Sequence, residues 1–204
     1  MKLHYSPGAC SLSPHIVARE LGLPIELAKV DGKTKRTADG RDFLQLNPKG
    51  YVPVLELDDG EVLTEGPAIV QYLADQKPEA GLAPANGTMA RYHLQEMLGF
   101  INSELHKTYS PLFTPSATPE LRAEREAYLR RRYATIEAAL AGKAYLFGDQ
   151  FTVADAYLFV VTAWAGFLKL DLAEFPNLMA FQARVAARPA VIEAMTAEGL
   201  RKPS

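Results

Sequence analysis

Residues 47–75, NPKGYVPVLELDDGEVLTEGPAIVQYLAD, decide how the rest of the chain is read. Val54-Leu55-Glu56-Leu57 and Glu61-Val62-Leu63-Thr64 are two short strand patterns separated by Asp58-Asp59-Gly60. An Asp-Gly step between such runs signals a hairpin, because glycine accepts the positive φ that the turn requires. Pro53 has no N–H to offer a ladder, so it belongs at a strand start or on an edge. That leaves the backbone N–H and C=O of Val52 facing outward, open to an extended ligand. Glu65-Gly66-Pro67 then leads into the apolar run 68–73. Pro67 suits the first position of a helix, where a missing donor costs nothing. Gly66 lets a ligand approach the bare amides of that helix start, which favour a carboxylate or phosphate. An open strand edge, an anion site and the anionic Glu65 together suit a small peptide with its own α-amino and α-carboxylate groups. The same pattern also suits a hairpin and helix packed only for stability, and pattern alone does not separate the two.

Composition narrows the field. The chain has 204 residues, 48% of them hydrophobic, enough for a real core in one or two domains. A net charge of −2 with mixed signs gives no reason to expect nucleic acid or an anionic membrane as a partner. No apolar run reaches membrane-spanning length, and the start MKLHYSPG lacks a signal-peptide core, so the expected location is the cytoplasm. Cys10 is the only cysteine, which excludes an internal disulfide and a zinc cluster and predicts no metal.

Upstream of the hairpin, Lys2-Leu3-His4-Tyr5 alternates like a strand and Pro7-Gly8 ends it. Ser13-Pro14 reads as cap and first position of a helix through residues 15–21, closed by Gly22. Residues 24–30 read as a second strand, so the strand–helix–strand unit predicts a parallel pair. The polar stretch 32–41 reads as a loop and residues 43–46 as a short helix. The sum over about 80 residues is β-α-β-(α)-β-β-α, an α/β layer with a mixed sheet. Residues 78–87, PEAGLAPANG, are the linker candidate, and everything beyond reads helical. One helix spans 91–113 with Leu94, Leu98, Ile101 and Leu105 on its apolar stripe. Thr118-Pro119-Glu120 opens a second. Thr152 and Asp155 form a capping box for a third, to Leu168, and Phe175-Pro176-Asn177 opens a fourth.

Cys10 falls just before or within the first helical turn, where exposed amides stabilise a thiolate. Ser13 stands where a dithiol oxidoreductase would carry its second cysteine, so an external thiol must resolve any mixed disulfide. Tyr5 and Ser11 are alternative thiol-activating hydroxyls. A buried cysteine acting as a small hydrophobe is the competing reading. His15 reads as a packing residue of the first helix.

SPGACSLSPH, NPKGYVPVLELDDG, LTEGPAIVQYLAD, SELHK and FTVADAYLF, in this order along essentially the whole chain, resemble a bacterial glutathione transferase of the beta class. The resemblance implies the glutathione transferase fold: an α/β thioredoxin-like N-terminal domain (1–80) that binds glutathione, plus an all-α C-terminal helical domain (87–204). It also implies a homodimer, with glutathione as co-substrate and a hydrophobic electrophile as second substrate. Carried over by residue, Val52 pairs its backbone with the cysteinyl part of glutathione, Glu65 and Gly66 hold the γ-glutamyl end, and Lys35 reaches the glycine carboxylate. Cys10 lies beside the glutathione sulfur and His106 approaches the same region. Ser103 and Glu104 reach the neighbouring subunit's site. Gly99 departs from the asparagine that relatives often carry, removing one side-chain hydrogen bond. Gly99, Ser103 and His106 form a small and polar stripe at spacings of four and three. Lys107 reads as solvent-facing or as added positive charge near the site, Trp164 as a core residue or a pocket wall, and Tyr109 and Phe113 are expected to line the second-substrate pocket.

The leading function is conjugation of glutathione to apolar electrophiles, with Cys10 able to form a mixed disulfide with glutathione. The alternatives are glutathione-dependent thiol-disulfide or peroxide reduction, reductive dehalogenation, and a non-enzymatic interaction module of the same fold.

Overall fold

In the computed structural model, which describes residues 1–202, the elements run β1 (Lys2–Tyr5), α1 (Leu12–Glu20), β2 (Glu26–Lys29), α2 (Phe43–Leu46), β3 (Val54–Glu56), β4 (Val62–Thr64) and α3 (Gly66–Asp75). A helical series follows: α4 (Met89–Phe100), a π-helical stretch (Ile101–His106), α5 (Lys107–Tyr109), a 3₁₀ turn (Ser110–Phe113), α6 (Pro119–Leu140), α7 (Val153–Leu168), α8 (Pro176–Ala186) and α9 (Pro189–Ala197). Two compact units result. Residues 1–83 belong with the segment that begins at Ala187, and residues 84–186 form the second unit.

The first unit is built on β1. It pairs in parallel with β2 and antiparallel with β3, and β4 completes the order β2-β1-β3-β4. Leu3 stands opposite both Leu27 and Leu55, and Leu3, Leu55 and Val54 are fully buried. The hairpin forms where the sequence places it. Leu57 N–H donates to Glu61 O and Gly60 N–H to Leu57 O, with Gly60 at φ +87°. Helix α1 presents Ile16, Val17 and Ala18 to the core and packs on α3, which supplies Ile69, Val70 and Leu73. It ends in a double closure: Gly22 N–H donates to Arg19 O and Leu23 N–H to Ala18 O, with Gly22 left-handed at φ +58°. Helix α9, which the sequence gives to the helical half, packs on α1 within this unit.

Helix α7 is the centre of the second unit. It is apolar on nearly every side, and α4 and α8 pack against it while α6 packs on α8. Such an all-round apolar helix belongs in the middle of a bundle. The capping box at its start is made as predicted. Asp155 accepts from Thr152 N–H at 2.8 Å and Thr152 O–H at 2.7 Å, and also from Leu146 N–H at 2.9 Å. Burial pushes the Asp155 carboxyl up to about 6, against the pull of those donors. The single helix expected over 91–113 is not continuous. A π stretch (Ile101–His106) interrupts it, and a 3₁₀ turn closes it where Pro111 has no N–H to continue the ladder. No helix among the described residues is long and apolar enough to cross a membrane.

Candidate functional site

The predicted site residues fall in both units, and each unit is taken by itself. In the first, the loop after β1 turns through Gly8 at φ +70° and delivers Cys10 immediately before Ser11, the N-cap of α1. The Cys10 thiol, half-buried, donates to Val52 O at 3.3 Å. Only the protonated sulfur can make that bond. The Val52 carbonyl is therefore engaged by the chain's own thiol, a correction to the outward-facing carbonyl read from the sequence. Among the described residues, no protein acceptor meets the Val52 N–H. The Val52–Pro53 peptide is cis.

Two serines near the thiol do other work than expected. Ser11 is fully buried; its hydroxyl donates to Ser6 O at 3.2 Å and accepts from Ser6 N–H at 3.1 Å, closing the 6–11 loop rather than facing the sulfur. The helix starts two residues earlier than Ser13-Pro14 suggested, so Ser13 lies inside it and donates to Cys10 O at 2.9 Å. That bond holds the main chain at Cys10. Tyr5 lies in β1 with its ring 6.5 Å from that of His15, and burial raises its phenol pKa.

Gly66, not Pro67, is the first residue of α3, and Glu65 is its N-cap at φ +73°, ψ +118°. A non-glycine residue in that region is strained backbone, and such residues concentrate at functional sites. Ala68 N–H and Ile69 N–H both donate to Glu65 O. No protein acceptor meets the Gly66 N–H among the described residues. A Cβ at Gly66 would touch only Pro53 Cγ, at 4.0 Å, so residues 52–53 and 65–66 share one region. Lys49 Nζ bonds Glu65 Oε1 at 2.7 Å and Thr64 Oγ1 at 3.0 Å, a partner the sequence reading missed. Lys35, itself at φ +55°, donates from Nζ to Gly50 O at 3.0 Å. Lys35, Gly50, Val52, Cys10, Glu65 and Gly66 are thus linked through the 47–53 segment.

The buried face behind the thiol was also missed. His15 and Glu198 have no exposed side-chain surface and are bonded at 2.9 Å, Nδ1 to Oε1. Glu198 Oε2 accepts from Gly8 N–H at 3.0 Å, two residues before Cys10. His15 is more than a packing residue: through Glu198 it ties α9 to the loop that carries the thiol.

In the second unit, Ser103 donates back to Gly99 O at 3.0 Å. Glu104 accepts from the Tyr128 hydroxyl at 2.5 Å and pairs with Arg132 at 2.8 Å, beneath a guanidinium 4.5 Å from the Tyr128 ring centre. His106 Nδ1 lies 2.6 Å from the Tyr157 hydroxyl, which donates to Asn102 Oδ1 at 2.9 Å. Trp164 stands edge-on to the imidazole, centroids 4.8 Å apart. Lys107 is exposed, as expected. Tyr109 does not line a pocket: it is fully buried, its hydroxyl 2.9 Å from that of Tyr133, and burial raises its pKa. Phe113 is 48% exposed and edge-on to Trp164. Asn102 and Tyr157 carried no signal of their own, since Tyr157 sits in a run that reads as helix core.

Sequence and structure comparisons define the family to which the fold belongs. Residues 8–76 match the model of the glutathione S-transferase N-terminal domain, and residues 100–189 that of the C-terminal domain. The glutathione S-transferase GstA of Escherichia coli O157:H7 is 45% identical over 201 residues, covering 98% of this chain and 100% of the relative. The structure of a ternary complex of BphK, a bacterial GST, is 56% identical with a TM-score of 0.96, covering 98% of this chain and 100% of that one. A beta class glutathione S-transferase from Sphingomonas chungbukensis is 47% identical with a TM-score of 0.95 over the same shares. The chain belongs to the glutathione S-transferase family, and within it to the bacterial beta class. It has that family's fold, a thioredoxin-like α/β domain with a helical one, and it is an enzyme.

Proposed function

We propose that the first unit binds glutathione extended along residues 50–53 and that Cys10 exchanges disulfides with it. The cysteinyl part would take the Val52 N–H and compete with the Cys10 thiol for the Val52 carbonyl. Glu65 and the Gly66 amide would hold the γ-glutamyl end, and Lys35 the glycine carboxylate. One observation carries this reading: the chain's only thiol is 3.3 Å from the backbone group that the ligand's cysteinyl unit would use. With oxidised glutathione, the Cys10 thiolate attacks one sulfur, the glutathione S–S bond breaks, and one glutathione leaves as thiolate while the other stays on Cys10. A second glutathione thiolate then attacks the glutathione sulfur of that mixed disulfide, releasing oxidised glutathione and restoring the Cys10 thiolate; net reduction results when the disulfide opened in the first step joins glutathione to another thiol, which leaves reduced.

Conjugation to an apolar electrophile is the second reaction of the same site, with the glutathione thiolate as nucleophile and Cys10 as a neighbour only. His106, in the helical unit, is proposed as the second catalytic residue. Ser103 and Glu104 are proposed to serve the ligand of a second copy in a homodimer, Glu104 toward an ammonium group through the carboxylate that Arg132 and Tyr128 now hold. The unit that holds residues 1–83 is proposed for glutathione and the unit of residues 84–186 for the second substrate.

Retention on immobilised glutathione tests the proposal. The parent chain is expected to bind and Glu65→Ala to pass through. A parent that is not retained would leave the interaction-module reading in its place.

A further inference from the structure

The π-helical stretch Ile101–His106 brings two side chains of one helix onto a single buried hydroxyl. In an α-helix, residues four apart lie about 40° out of line, and the wider π turn reduces that offset. Tyr157 of α7 is 1% exposed and meets both side chains: its oxygen is 2.9 Å from Asn102 Oδ1 and 2.6 Å from His106 Nδ1. A phenol has one proton to give. With that proton on the Asn102 carbonyl, the phenol oxygen accepts from the imidazole, so Nδ1 carries hydrogen. A neutral imidazole has one N–H, and which nitrogen holds it follows from the hydrogen bond the other makes. Nε2 is therefore left with its lone pair. Trp164, edge-on at 4.8 Å, holds the ring in the plane that keeps this order.

We infer that Tyr157 and Asn102 are positioning residues that hold His106 as the Nδ1–H tautomer, so that Nε2 acts as a hydrogen-bond acceptor toward an S–H or O–H donor. The reversed order would need the Asn102 amide turned over, its N–H on the phenol, the phenol on Nδ1 and the hydrogen on Nε2. The two orders give opposite tautomers. The catalytic meaning rests on the proposed role of His106 in glutathione chemistry, whereas the tautomer does not.

The test is nitrogen and carbon NMR of the full chain with labelled histidine, without glutathione, at a pH where the imidazole is neutral. The His106 signal among the four histidines is identified by its loss in His106→Gln. The expected spectrum shows Nδ1 protonated and Nε2 as the lone-pair nitrogen. Asn102→Asp, whose ionised carboxylate only accepts, retains that signature, and Tyr157→Phe loses it. A wild-type His106 protonated at Nε2 overturns the inference, as does a Tyr157→Phe variant with an unchanged tautomer. Should Tyr157→Phe fail to fold, the wild-type and Asn102→Asp spectra still decide the matter. In turnover with an aryl halide, Tyr157→Phe is expected to lower kcat about tenfold or more with little change in the KM for glutathione. An unchanged kcat overturns the positioning role. Failure of the glutathione reading shows separately, as a parent protein not retained on the immobilised ligand.

Discussion

Replacing Glu198 by alanine removes the acceptor for two donors at once, one buried and one half-buried. The carboxylate has no exposed surface, bonds the fully buried His15 at 2.9 Å, and accepts the Gly8 N–H at 3.0 Å. Leaving the buried His15 Nδ1–H without its acceptor costs about 1–3 kcal/mol. The Gly8 amide adds its own desolvation penalty of about 1–3 kcal/mol unless water enters to replace the acceptor. Against a total stability of roughly 5–15 kcal/mol, the lower sum is already a large loss. For a chain of this size each kcal/mol moves the midpoint by about 2–4 °C, so Glu198→Ala is expected to melt at least about 4–8 °C below the parent. Glu198→Gln should fall between them. Arg19 Nε donates to His15 Nε2 at 3.4 Å, which puts the imidazole hydrogen on Nδ1, facing the residue at 198. A glutamine can then offer only its carbonyl to one of the two donors. Thermal melts and urea titrations of the three proteins decide the point. An alanine variant melting within about 2 °C of the parent would refute the claim that this pair anchors the segment.

Three further outcomes follow from the same geometry. Gly66→Ala meets only Pro53 and needs no left-handed backbone, so it should fold with a melting point at or above the parent's and still lose affinity for immobilised glutathione; unchanged affinity would argue against a ligand at that helix start. Cys10→Ala should abolish disulfide reduction while sparing much of any conjugation with a simple aryl halide, and the parent should gain the mass of one glutathione after treatment with oxidised glutathione; equal loss of both activities, or no mass gain, would contradict the division. Acid should destabilise the first unit in two stages: burial lowers the pKa of His4 from the ordinary 6.5, and Arg41 with His4 holds Glu56 down to about 2 from 4.5. The unfolded chain therefore binds more protons, so stability contributed by these groups falls as pH drops below about 6.5 and again from 4.5 toward 2. Glu56→Gln should flatten the second stage in urea midpoints measured against pH, and an unchanged slope would count against it.

Much of the fold was legible because its signals are local. Asp59-Gly60 set the turn, Gly22 the helix end, and Thr152 with Asp155 the start of α7, each through a few neighbouring residues. The readings that needed correction involved competition between partners. Ser13 has the right chemistry for a cap, yet Ser11 and the Gly8 turn start the helix earlier. Val52 looked open from its place beside Pro53, but no pattern reveals that a sulfur 42 residues away takes its carbonyl. The π stretch at 101–106 leaves the apolar spacing of four, three and four intact, so periodicity could not expose it. Tyr157 and Glu198 were invisible for a related reason: each owes its role to a partner more than fifty residues distant.

The return of α9 to α1 also bears on how the protein is made. A ribosome releases the sheet and its thiol-bearing loop first, and domains usually fold in that order. Here His15 must wait for a partner 183 positions further on, and the Gly8 amide lacks its Glu198 acceptor until the residues after α9 have emerged. The half of the molecule synthesised first is thus the half completed last.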